Sequence, residues 1–346
     1  MKKVTDKELL TSSYEFVLPN ELIATHPASP RDSAKLLVYN RKTDTITHTN
    51  FYNFEDYIPK DCAIIFNNTK VIKARIFGHK ESGGKVELLI NRALDAYDVN
   101  VYIRGKVKVD IKINFDERLS ALVKVLNEDG SRVVNFFIDG TLARFEEILP
   151  IIDKIGHVPL PPYIQREDDA TDVAEYQSVF AKEEGAVAAP TASLHFSDEQ
   201  HKRVCQNHKN AYITLHVGSG TFKPVEVETI TEHPMHSEYY NISDEAKKLL
   251  DDTTIPILSI GTTSTRTIEY YVRHQDKTDG EANLFLHPQN KPKRVNHLLT
   301  NFHLPKSTLL MLVASFVGVE KTKELYEEAI KHKYRFYSYG DAMLIL

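Results

Sequence analysis

The stretch Gly185-Ala186-Val187-Ala188-Ala189-Pro190-Thr191-Ala192-Ser193-Leu194-His195-Phe196 carries no charge and almost no bulk before Leu194. Small residues let backbone come close to a ligand and Pro190 fixes a bend. The segment therefore reads as a cavity liner, with Thr191, Ser193 and His195 as its polar contacts. A buried turn with a core histidine fits the same residues. Ser197-Asp198-Glu199-Gln200 matches a capping box, which puts His195 just outside a helix start, where the dipole favours a neutral imidazole that can accept a proton.

Further polar clusters follow strand-like runs. Residues 255–260 lead into Gly261-Thr262-Thr263-Ser264-Thr265-Arg266 and a helix expected from Thr267, the layout of an anion or nucleoside pocket with Arg266 as a carboxylate clamp. Asn301 and His303 lie at a second strand-to-helix switch. Asn67, Thr69 and Lys70 follow the apolar run 62–66, where open α/β sheets place ligands, although an ordinary strand exit looks the same. Gly218 and Gly220 follow the strand 211–217, but with no third glycine the dinucleotide fingerprint is missing. His233, His236, Glu238, Tyr239 and Tyr240 crowd together. Their His-x-x-His spacing suggests zinc, yet Pro234 spoils a helix and no cysteine is near, so no metal site is expected. Arg31 beside Asp32, in a proline-stiffened loop, is either an exposed ion pair or a phosphate or carboxylate contact.

These residues need a scaffold, and 346 residues allow two domains. Apolar content of 42% and charged content of 26% are those of a globular protein. No apolar run reaches membrane-spanning length, and the charged start 1–8 lacks the apolar stretch of a secretory signal. Two cysteines fit a reducing cytoplasm. A net charge of −5 does not advertise nucleic-acid binding, although cations gather at Lys70, Lys73 and Arg75, at Lys291, Lys293 and Arg294, and at Lys331, Lys333 and Arg335. Strand-like runs at 86–90, 97–103, 107–115, 121–126 and 132–138, with no helix between them, predict a small antiparallel barrel. The expected fold is mixed α/β: a larger three-layer α/β domain, 1–77 plus 151–346, carrying an inserted β-barrel domain, 78–150. The proline-rich strip 156–164 is a rigid connector whose Tyr163 and Arg166 could meet a ligand. The aromatic and basic tail 334–341 suits either RNA stacking or core packing.

Taken in order, His26-Pro27…Arg31-Asp32-Ser33, 67–78, Gly83-Gly84-Lys85-Val86-Glu87-Leu88-Leu89, 156–164, 185–196, 216–225, Met235-His236-Ser237-Glu238-Tyr239-Tyr240, 261–266, 299–310 and 334–345 closely resemble the S-adenosylmethionine:tRNA ribosyltransferase-isomerases of queuosine biosynthesis. The resemblance implies an α/β domain with an inserted barrel. It also implies a reaction in which the ribosyl group of S-adenosylmethionine passes to 7-aminomethyl-7-deazaguanine at the tRNA wobble position and is isomerised to epoxyqueuosine, releasing adenine and methionine. No cofactor beyond S-adenosylmethionine is implied. Such chemistry needs a base for the methylene beside the sulfonium, a positioned nucleoside and a clamp on the methionine carboxylate. His195 is the first choice as base, and Arg266 with Thr262, Thr263 and Ser264 holds the methionine or ribose end. His236, Glu238 and Tyr239, with Asn301 and His303, surround the deazaguanine. The chain departs from the family at Asn68, Lys73, Ser193 and Leu215, and more widely over 281–297.

The expected protein is thus a cytoplasmic, monomeric enzyme acting on tRNA. A non-catalytic RNA-binding protein is the alternative, disfavoured because binding RNA alone calls for cations where this chain has an uncharged, hydroxyl-bearing stretch. A serine or cysteine hydrolase lacks its nucleophile motif.

Overall fold

The computed structural model describes residues 7–116, 118–218, 225–235, 237–274 and 277–346. The hairpin β1 (Lys35–Asn40) and β2 (Thr45–Asn50) opens the regular structure, with β1 largely buried and β2 largely exposed. β3 (Ala63–Asn67) is buried along its whole length, as a continuous apolar run in a central parallel strand should be. After the short β4 (Thr69–Val71) come β5 (Arg75–Lys80), β6 (Lys85–Ala93), β7 (Asp98–Arg104), β8 (Lys112–Asn114), β9 (Leu119–Leu126), β10 (Arg132–Ile138) and β11 (Thr141–Leu142). They pair in the order β11-β10-β7-β6-β5-β8-β9, and β9 pairs back onto β10, closing a six-stranded antiparallel barrel. Closure removes the free edges that short strands otherwise expose. Inside lie Ile76, Leu88, Ile90, Val101, Val123, Val134 and Phe136, sealed by Ile148 and Ile152 of α1 (Phe145–Ile155). Each such side chain contributes about 2 kcal/mol on leaving water. The alternation over 107–115 predicts a long strand, but only Lys112–Asn114 pairs, because Asp110 turns into left-handed backbone (φ 66°) and breaks the pleat.

The chain then forms α2 (Asp172–Glu175), β12 (Glu183–Ala186), α3 (Asp198–Asn207), β13 (Asn210–Leu215), β14 (Glu238–Ile242), α4 (Asp244–Asp251), β15 (Ile257–Ile260), α5 (Thr262–Arg273), β16 (Asp279–Ala282), β17 (His297–Asn301), α6 (Thr308–Val317), α7 (Val319–Lys331) and β18 (Ala342–Ile345). Nine strands make one sheet in the order β16-β14-β13-β3-β15-β17-β18-β1-β2. Its centre, β13, β3, β15 and β17, is parallel. β12 pairs with β4 in parallel, a clip that ties the small-residue stretch to the entrance of the barrel.

Alternate side chains of the central strands feed two cores. Ile64, Phe66, Leu258, Ile260 and Leu299 meet Phe51, Phe54, Phe196 and Val204 on one face. Ala63, Ile65, Ile213 and Ile257 meet Leu250, Ile268 and Tyr271 on the other, where α6 and α7 cover Leu298, Met343 and Ile345. This is the three-layer architecture expected from the sequence. Half of the capping box forms: Ser197 Oγ accepts from Gln200 N at 3.3 Å, but the Gln200 amide donates to Phe51 O at 2.7 Å instead of turning back to the cap. The helix foreseen from Thr267 instead begins at Thr262, on Gly261 with φ 93°. Among the described residues no helix is long and apolar enough to cross a membrane.

Candidate active site

At the carboxyl ends of β15 and β17, where parallel sheets bind ligands, lies a narrow hollow. Ala188, Ala189, Thr191 and Ala192 form one wall, Gly261, Thr262 and Thr263 a second, and Thr300, Asn301 and His303 a third, with Tyr163, Tyr337 and Ser338 closing it. Among the described residues no Asp, Glu, Lys or Arg side chain lines it. α5 starts on a glycine with no side-chain cap, so its first backbone N–H groups and its positive dipole end are presented beside Thr262 and Thr263. The Tyr163 and Tyr337 rings lie 4.4 Å apart. Tyr337 is held at φ 74°, an uncommon conformation for a bulky residue, with its carbonyl accepting from Asn301 Nδ2 at 2.9 Å.

His195 does not reach this hollow. It is buried behind Asn301, against the Phe51 ring at 5.0 Å, with Nε2 3.3 Å from Asn301 Oδ1. Because Asn301 Nδ2 donates to the Tyr337 and Ser338 carbonyls, its Oδ1 faces His195 as an acceptor, so Nε2 carries the hydrogen. Burial pulls the His195 imidazole down to about 4. His303 does line the hollow, its Nε2 2.7 Å from Thr300 Oγ1, and burial pulls it down to about 3. Both imidazoles are neutral at neutral pH.

A second, wider opening separates the barrel from the sheet and is lined by Asn91, Arg92 and Tyr102 on one side and by His216, Gly218, Glu238 and Tyr239 on the other. Tyr239 is 45% exposed and stacks on His216, with ring centroids 5.9 Å apart. His216 rests on Gly185, where a Cβ would fall 2.9 Å from the ring, and its Nδ1 is 2.8 Å from Thr69 Oγ1. Glu238 lines the cleft near the hollow. Its Oε1 accepts from Gly218 N at 3.0 Å, next to Val217 of the hollow, and its other oxygen pairs with Arg266. Arg266 is buried and pulled down to about 10 by desolvation, still a cation at neutral pH beside its carboxylate partner.

Of the residues singled out in the sequence, Thr191, Gly261, Thr262, Thr263, Asn301 and His303 meet in the hollow, and Gly218, Glu238 and Tyr239 in the cleft. Ser264 and Ser193 are buried away from both. Ser264 Oγ donates to Ile260 O at 2.7 Å, because α5 already includes it and its hydroxyl turns back on the helix. Arg31 grips the Gln177 and Ala174 carbonyls, and Asp32 accepts from Ser197 Oγ at 2.9 Å, so the two do not pair with each other. Asn67 braces β3 to β13 through Leu215, and Lys70 pairs with Glu184 at 2.8 Å. Arg166 clamps the buried Asp172 at 2.6 and 2.7 Å instead of reaching a ligand. His236 and Gly220 lie outside the described residues. Thr300, Ser307, Tyr337 and Ser338 were not singled out; Thr300 borders the chosen Asn301, and the hydroxyl- and aromatic-rich tail offered the only signal for the last two.

Residues 11–345 match the model of a family described as queuosine biosynthesis protein. The chain is 71% identical over 343 residues to the S-adenosylmethionine:tRNA ribosyltransferase-isomerase of Sulfurimonas denitrificans, covering 99% of this chain and 100% of that one. It is 55% identical over 344 residues to the enzyme of the same name from Campylobacter jejuni, covering 99% and 100%. A crystal structure of an S-adenosylmethionine tRNA ribosyltransferase from Thermotoga maritima superposes with a TM-score of 0.53 at 32% identity, covering 96% of this chain and all of the other.

Proposed function

The chain belongs to the queuosine biosynthesis family of S-adenosylmethionine:tRNA ribosyltransferase-isomerases, and from that membership we propose how its two openings divide the reaction. The hollow takes S-adenosylmethionine. Its methionine carboxylate meets the bare N–H groups and hydroxyls at the start of α5, a favourable place for an anion. The sulfonium sits in a space whose described lining holds no Lys or Arg, beside the rings of Tyr163 and Tyr337. The cleft takes 7-aminomethyl-7-deazaguanine from the tRNA wobble position, stacked on Tyr239. The single observation supporting this reading is the placement of Glu238, a carboxylate of the cleft fixed by Arg266 and by Gly218 N, one residue along the chain from Val217 of the hollow.

An aminomethyl group is an ammonium at neutral pH and must lose a proton before its nitrogen can bond to carbon. Glu238 is the acceptor placed for that step. Arg266 then serves as its positioning residue, not as the methionine clamp. His195 is likewise reassigned from base to positioning residue, because it lies behind Asn301 outside the hollow and its hydrogen is committed to Asn301. Asn301 and His303 present hydrogen bonds to the nucleoside, and the acidity that the sulfonium lends its methylene lightens the remaining proton transfer. In this reading the protein is a cytoplasmic monomer that uses no cofactor beyond S-adenosylmethionine, and 78–150 is a barrel domain inserted into the body formed by 1–77 and 151–346.

Incubation with S-adenosylmethionine and tRNA bearing 7-aminomethyl-7-deazaguanine tests the proposal. Free adenine and methionine are expected from the wild type, and Glu238→Gln is expected to lose turnover while keeping its KM for S-adenosylmethionine. An active Glu238→Gln enzyme would remove the carboxylate from the mechanism.

A further inference from the structure

His48 on the exposed strand β2 stands opposite Glu328 and His332, one turn apart at the end of α7, and none of the three lines the hollow or the cleft. One donor atom from each lies within 4.8 Å of the other two. His48 Nε2 is 3.3 Å from Glu328 Oε1, and His332 Nδ1 is 3.1 Å from the same oxygen. A tetrahedral zinc with bonds of ~2.0–2.1 Å needs donors about 3.3 Å apart, so two edges of such a polyhedron already have their length. The imidazoles stack with centroids 4.2 Å apart and planes 26° apart, which keeps both rings on the carboxylate's side.

The surroundings also suit a ligand set. His48 Nδ1 is 2.9 Å from Tyr334 Oη, a hydroxyl that can accept the ring hydrogen and so direct the Nε2 lone pair toward the carboxylate. His332 Nδ1 at present lies 3.0 Å from the Glu328 carbonyl oxygen, a contact that it would exchange for the ion. Lys331 Nζ approaches Glu328 Oε2 at 3.7 Å and leaves Oε1 to the histidines. Side-chain exposures of 33%, 26% and 41% for His48, Glu328 and His332 leave an entry path and room for a water as fourth ligand. We propose that His48, Glu328 and His332 bind a borderline divalent transition metal, zinc first, clasping the outer strand of the large sheet to α7. Two imidazoles and one carboxylate form a donor set that favours zinc, cobalt or copper over magnesium or calcium.

Calorimetric titration of the metal-stripped full chain with zinc chloride, and visible absorption of its cobalt(II) form, test the site. The expected result is one equivalent of zinc and a tetrahedral cobalt spectrum, with affinity falling about tenfold or more in His48→Gln, Glu328→Gln and His332→Ala. His48→Gln can still hydrogen-bond to Tyr334, so it separates lost ligation from lost folding. His79→Ala, at an exposed histidine of the barrel, should bind as the wild type does. Equal zinc affinity in a His48→Gln/His332→Ala double variant, or no zinc binding by the wild type, would leave the cluster as a hydrogen-bonded His-Glu-His group and overturn the proposal.

Discussion

Replacing His195 distinguishes positioning from proton transfer. His195→Leu removes the donor to Asn301 Oδ1, 3.3 Å away in a buried setting. A neutral hydrogen bond is worth about 1 kcal/mol net, and a stranded buried acceptor costs about 1–3 kcal/mol. If Asn301 then misplaces the nucleoside by a comparable amount, 1–2 kcal/mol, turnover falls about 5–30-fold. His195→Gln puts an amide N–H near the position of Nε2 and should recover most of that loss. A general base, by contrast, contributes about 10²–10⁴-fold, and glutamine cannot replace it. The assay is adenine release under saturating S-adenosylmethionine, with urea unfolding run in parallel to measure stability. If both variants stay folded and both lose more than about a thousandfold, His195 is the base and the positioning argument is wrong.

Four more outcomes follow from the geometry. His195 and His303 are held neutral, at about 4 and about 3, whereas an unfolded chain binds protons below about 6.5. Their stabilisation is therefore complete above pH 6.5 and fades as pH falls toward 4, by about 2 kcal/mol each at pH 5, visible as a urea midpoint that drops before carboxylates titrate. Gly185→Ala, at φ 146° with a Cβ 2.9 Å from His216, should lower stability by about 1–3 kcal/mol and slow turnover of modified tRNA, while the KM for S-adenosylmethionine holds. Thr263→Val keeps volume but removes a hydroxyl from the hollow and should raise that KM about fivefold, with kcat little changed. Glu269→Gln should cost about 3 kcal/mol in urea unfolding, since the buried carboxylate accepts from three backbone N–H groups and pairs with Arg273.

Much of the scaffold was legible because period and punctuation carry local physics. The barrel strands 86–90 and 132–138 and the capped start of α3 were set by alternation, turn residues and one serine. Asp110 escaped because a left-handed turn can hide inside an unbroken apolar-polar alternation. The start of α5 was misplaced since threonines and serines read as a polar turn, whereas Ser264, Thr265 and Thr267 donate their hydroxyls to carbonyls four residues back and join the helix. In the site, the small-residue stretch did lead to a cavity wall, yet the side to which each polar group turns is a tertiary fact. His195 faces the Phe51 core, while His303 faces the hollow. The pairing of Glu238 with Arg266 depends on β14 lying close to α5, which no local pattern reports.

Glu269 gives the variable region 281–297 an unusual licence. Its carboxylate takes the backbone hydrogens of Lys293, Arg294 and Val295 at 2.8, 2.7 and 2.8 Å. Main-chain donors are supplied by every residue except proline, so the mooring is blind to the letters written there. Arg294 spends its side chain on the carbonyls of Leu249, Leu250 and Asp252, and Asn296 Oδ1 accepts from Ile257 N at 2.9 Å. Exposed Lys293, which meets Glu269 through its main chain, can therefore be exchanged while the helix that fronts the hollow keeps its berth, whereas the buried Leu286, Arg294 and Val295 leave less freedom.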